Sequence, residues 1–171
     1  MTENYADKPN AADARRASAI TIHHRRGNRE GISAILNETG EANRVTELFL
    51  AILGIHGNAL TELRTDAGLN YIANFIQEIG GLTGATEIAD PETLGGDVNR
   101  CCRLLDAHGR QDIPELNRAL QDAFATRRTI ELTIALLDIY ELVLPELTSA
   151  AGIKWLEACI NSFSAEEVQG P

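Results

Sequence analysis

Glu115–Leu147 reads ELNRALQDAFATRRTIELTIALLDIYELVLPEL, with no glycine and one late proline. Leu116, Leu120, Ala123, Ile130, Ile134, Leu137 and Leu144 fall on one ladder of four- and three-residue steps, which is a helical seam. The two rungs that are not apolar are Arg127 and Glu141. Beyond Ile130 the apolar residues also cover the flanks, through Leu132, Ala135, Leu136, Ile139, Leu142 and Val143, so this half is expected to be buried nearly all round. At about 1.5 Å per residue the stretch predicts a rod about 50 Å long. The fold class is therefore all-α: a bundle of about six helices around a long central helix at residues 115–147.

On the N-terminal side of the rod, Asp112-Ile113-Pro114-Glu115 is a helix entry, with Asp112 as cap and Glu115 reaching back. Pro145 is expected to kink or end the rod near Glu141. Asn28 caps a helix over Arg29–Asn37 that Thr39-Gly40 ends. A second helix covers Glu41–Leu63, where Gly54 and Gly57 are read as places of close helix approach or a kink, with a backbone-lined ligand surface as the sharper alternative. A third runs over Asp66–Ile79 and stops at Gly80-Gly81. Gly81–Ala89 is then the longest internal connection. A fourth opens at Asp90-Pro91, or at Asp97, and ends at His108-Gly109. The last spans Ser149 to about Phe163. No internal repeat or low-complexity segment is evident, and no alternating β-branched run predicts a strand. The domain reading is a basic arm at residues 1–29, one helical domain at 30–164, and a tail at 165–171.

The chain has 171 residues and a formal charge of -10. Residues 1–30 carry six basic and four acidic side chains, against nine basic and twenty-one acidic in the rest. A basic arm on an acidic body results, and that body repels nucleic acid and anionic membranes. Three cysteines without metal-type spacing imply free thiols and a reducing, cytoplasmic setting. The most apolar window, Ile130–Leu147, contains Glu131, Asp138, Glu141 and Glu146, so no membrane span is expected.

Chemistry-bearing motifs are scarce. There is no dinucleotide fingerprint, phosphate loop or nucleophile elbow, and no cofactor is implied. Glu131, Asp138 and Glu141 lie on the most apolar helix, where His56 or His108 could join them around a metal. The bundles that hold two metals use Glu-x-x-His pairs, and this chain contains none. The bland alternative is that these acids pair with Arg127, Arg128 or another base. Arg127 and Glu141, as polar rungs of a seam, are candidates for setting register or partner choice, with Glu131 and Asp138 beside them. In the arm, Arg15, Arg16, His23, His24, Arg25, Arg26 and Arg29 are candidates for phosphate contact, although no aromatics are interleaved for base stacking.

The expected function is a non-enzymatic interaction, regulatory or assembly module that pairs with itself, as a homodimer, through apolar helix surface. The alternative is a nucleic-acid-associated regulator using the arm. A metal- or ligand-binding helical enzyme is the third reading.

Overall fold

Helix caps place the first elements. In the computed structural model, which describes residues 8–84, 90 and 92–169, the Asn10 side chain accepts from the Asp13 N–H while the Asp13 carboxylate accepts from the Asn10 N–H. This reciprocal box opens α1 (Ala11–Arg25). Asn28 then caps α2 (Arg29–Glu41), which is followed by α3 (Val45–Leu63) and α4 (Asp66–Gly84). Thr93 caps α5 (Leu94–Gly109), and Asp112 caps α6 (Ile113–Ala125) through the Glu115 N–H. Then come α7 (Thr129–Val143), a short 3-10 turn (Pro145–Thr148) and α8 (Ala150–Gln169). The all-α class holds, with eight α-helices among the described residues.

The single rod does not. Residues 115–147 are divided between α6, α7, the 3-10 turn and the two joints between them. Arg127, the first polar rung, takes the left-handed conformation at φ 55°. Its N–H donates to Phe124 O, and the Arg128 N–H donates to Ala123 O at 2.9 Å. These two bonds close a helix C-terminus. The hydrophobic ladder runs through the break because each helix buries part of it, Leu116, Leu120 and Ala123 in α6 and Leu137 in α7, where the flanking Leu132 and Leu136 are buried as well. Leu142, expected on a covered flank, is 70% exposed. Pro145 behaves as expected, since α7 stops at Val143.

Other boundaries move as well. The arm's Ala11–Arg25 is a helix with Ala17 and Ile20 fully buried. Thr39-Gly40 and Gly80-Gly81 are passed by helices that run on to Glu41 and Gly84. A Cβ on Gly54 would meet nothing within 4 Å, so no close approach explains that glycine. The last helix continues to Gln169. Residues 1–7, 85–89, 91 and 170–171, which include most of the expected Gly81–Ala89 connection and Pro91, lie outside the described residues.

The element boundaries reveal a duplication. Arg29 and Ile113, Glu41 and Ala125, Val45 and Thr129, and Asp66 and Ala150 begin or end equivalent helices, each pair 84 positions apart. The left-handed residues obey the same offset, Gly27 with Gln111 and Asn43 with Arg127. Burial repeats too: Ile20 with Leu104, Ile32 with Leu116, Leu36 with Leu120, Leu48 with Leu132, and Ile52 with Leu136 are buried in both copies. One pair of exchanges is compensated. A Cβ on Gly31 would overlap the His23 ring, whereas the second copy has Glu115 at the first position and Ala107 at the other. Repeat one is thus α1–α4 and repeat two is α5–α8.

The compact units cut across these repeats. One unit comprises Met1–Asn58 with Leu144–Pro171, and the other Ala59–Val143. In the first, α1 packs against α2 and α8; in the second, α5 packs against α6, α7 and α4. The fourth helix of each repeat therefore lies with the first helix of the other repeat.

Each unit is fastened by the same buried carboxylate. Asp13 is fully buried and accepts from Arg44 Nη2 at 2.7 Å and Arg44 Nε at 3.1 Å, with Arg16 Nη1 at 3.6 Å. Asp97, equally buried, accepts from Arg100 Nη2 at 2.6 Å and from Arg128 Nη2 at 2.6 Å and Nε at 2.9 Å. Both triads tie the start of a repeat's first helix to the residue just before its third, because Arg44 and Arg128 each follow a left-handed residue. The two-pronged arginine geometry fixes orientation as well as distance.

Candidate functional site

The repeats agree outside the core as well as within it. Thr61–Tyr71 reads TELRTDAGLNY and Pro145–Trp155 reads PELTSAAGIKW. Glu, Leu, Ala and Gly are identical at four positions, and Thr/Ser, Leu/Ile and Tyr/Trp are conservative at three more. Part of this has a local structural cause. Thr65 Oγ1 accepts from the Gly68 N–H at 3.3 Å and Ser149 Oγ from the Gly152 N–H at 3.1 Å, so both hydroxyls cap the fourth helix of their repeat. Gly152 is required outright, since a Cβ there would lie 2.5 Å from Leu147 Cα and overlap Glu146 O.

The aromatic at the end of the run has no such cause. Tyr71 is 74% exposed and Trp155 is 44% exposed. Each is the sixth residue of its helix, with Ala67 and Gly68, or Ala151 and Gly152, one turn before it. A flat ring beside small side chains makes a ledge that a second helix can approach closely. The rest of α4 strengthens the case: none of its described side chains is fully buried, and Leu69, Ile72, Phe75, Ile76 and Ile79 are each only half covered.

The residues singled out by sequence lie on several elements. Arg127 is an exposed turn residue, Asp138 is exposed, and Glu131 and Glu141 are half-buried. Within its unit, His108 forms no metal-type group with Glu131, Asp138 or Glu141 among the described residues. In the N-terminal region Arg15 pairs with Glu167 at 2.9 Å, Arg16 with Glu38 at 2.8 Å, and Arg26 with Glu157 at 3.1 Å. Phosphate would have to displace these acids. His23 shares a hydrogen bond with Asn28 at 3.0 Å, His24 and Arg25 are half-buried, and Arg29 is exposed.

Burial pushes the Cys101 thiol well up and the Cys102 thiol up to about 11, so neither is a thiolate nucleophile near neutral pH. His56 is fully buried, and its Nδ1–H donates to Ile52 O at 2.8 Å. Burial, helped by the positive charges of Arg25 and His24, lowers its pKa to about 4. The folded protein thus keeps His56 neutral, whereas the unfolded chain protonates it near pH 6.5. Stability is present in full above pH 6.5 and is lost as pH falls from there toward 4, by about 3 kcal/mol at most. The predicted check is urea unfolding across this window, in which His56→Leu should show a shallower acid slope than the native chain.

Tyr71 and Trp155 were missed by sequence because a single exposed aromatic has no period. Sliding the chain against itself by 84 positions is the signal that finds them. No family model matches the chain, and no curated protein or solved structure does so either. What the geometry defines is a class: an all-α tandem duplication with exchanged fourth helices and a twice-displayed aromatic ledge. Among its described residues, no helix is long and apolar enough to cross a membrane.

Proposed function

We propose that this chain is a non-enzymatic interaction and assembly module that associates with further copies of itself through the opening turns of α4 and α8. The carrying observation is the retained Tyr71/Trp155 position, kept aromatic and exposed in both repeats although neither unit buries it. The occupant that fits is a second copy, with the Tyr71 ledge of one chain on the Trp155 ledge of another. Asp66 lies beside the first ledge where the second repeat has Ala150, and the exposed Lys154 lies beside the second where the first has Asn70, so the two ledges differ in charge in the sense that favours this pairing. Covering the exposed part of each ring removes further apolar surface from water, which makes each a natural anchor. Regulation through a register set by Arg127 or Glu141 has less support, since neither lies on these two helices. The free thiols of Cys101, Cys102 and Cys159 fit the reducing cytoplasm in which such a module would work.

Sedimentation equilibrium at micromolar concentration tests the proposal. The native chain should exceed the monomer mass. Tyr71→Ala and Trp155→Ala should each weaken association about thirtyfold, as loss of about 2 kcal/mol from a central anchor does, with helicity unchanged. A native chain that remains strictly monomeric overturns it.

A further inference from the structure

We propose that a second copy of this chain can supply α8, so that helix exchange closes a dimer using only an interface already present in the monomer. The fold performs this exchange within one chain. Repeat one sends its fourth helix to pack on α5, and repeat two sends its own to pack on α1. A partner that is another repeat, rather than the repeat's own first helix, is therefore the normal state of this element.

The features of α8 favour release. Among its described side chains one is fully buried, Leu156, and the partly exposed pairs Arg15–Glu167 and Arg26–Glu157 link it to α1 and the cap of that helix. Surface pairs of this kind contribute little. The segment before it is a hinge. Repeat one has Thr61 where repeat two has Pro145, and α3 runs through the first position while α7 ends two residues before the second. An exchanged α8 would meet the same α1 residues, so the balance of forms is set by hinge strain and concentration. This inference does not depend on Tyr71 or Trp155.

The test uses the full-length chain with Cys101→Ala and Cys102→Ser, the residues of the equivalent positions 17 and 18, and with Cys159→Ala. Tyr71→Ala and Trp155→Ala are added to remove surface association. Arg26→Cys with Glu157→Cys, or independently Arg15→Cys with Glu167→Cys, then receives a short bismaleimide after refolding at rising concentration. The expected product is a covalent species of twice the chain mass, increasing with refolding concentration for both pairs and absent from single-cysteine controls. Intrachain product alone, at every concentration and for both pairs, overturns the proposal.

Discussion

Asp97→Ala is expected to destabilise the protein by about 3–5 kcal/mol, read as a lowered urea midpoint at constant slope. The carboxylate is fully buried and answers two guanidinium groups at 2.6 Å. Its removal leaves Arg100, whose side chain is only 5% exposed, buried without its counter-charge. Arg128 is 24% exposed and can turn toward water, so the Arg100 side carries most of the effect. The equivalent Asp13→Ala should fall at the lower end, about 3 kcal/mol, because Arg16, 12% exposed, has more access to solvent than Arg100. Replacing Asp97, Arg100 and Arg128 together by apolar residues of similar size should cost less than Asp97→Ala alone, since no stranded charge remains. A triple variant weaker than the single one would contradict this account.

Gly152→Ala and Gly68→Ala should have opposite effects although they occupy the same place in the two repeats. At Gly152 the added Cβ would meet backbone, with Leu147 Cα at 2.5 Å and Leu147 C at 2.9 Å, and backbone does not move aside as a flexible side chain does. The corner must open, at about 1–3 kcal/mol. At Gly68 the nearest atoms are Arg64 Cβ and Thr65 Oγ1, both at 3.6 Å, which is ordinary contact. Alanine there should stabilise the helix by up to about 1 kcal/mol. Thermal melts of the two variants decide the matter: a lowered midpoint for Gly152→Ala beside an unchanged or raised one for Gly68→Ala. The difference arises because repeat two has the tight 3-10 turn at Pro145 where repeat one has continuous helix.

The sequence carried the helical class plainly, because aliphatic residues at helical spacing and the caps at Asn28 and Asp112 have direct physical meaning. It concealed the break at Arg127. No glycine or proline marks the turn, and what holds it is Arg128 reaching Asp97, 31 residues away. Long-range anchoring of that kind leaves no local trace. The duplication was concealed for a related reason: a buried aliphatic position accepts isoleucine, leucine or valine, so the two cores agree in character more than in letters. Identities gather over Arg44–Leu53 and Arg128–Leu137, and again at the corners, TEL with PEL and AG with AG, where backbone geometry and caps limit the choice. The candidate ledge lay beyond single-pass reading, since exposure of one tyrosine or tryptophan carries meaning only when its counterpart is known.

The Asp–Arg–Arg triads also constrain how this gene can change over time. A first substitution at Asp97 strands the buried Arg100, and only later ones would restore a neutral core. Intermediates along that route would be the least stable, so substitution is disfavoured there more than at the aliphatic positions of the two cores. Asp13, Arg16 and Arg44 with Asp97, Arg100 and Arg128 keep the same spacing of three and thirty-one residues in both repeats, which is the pattern this constraint would hold in place.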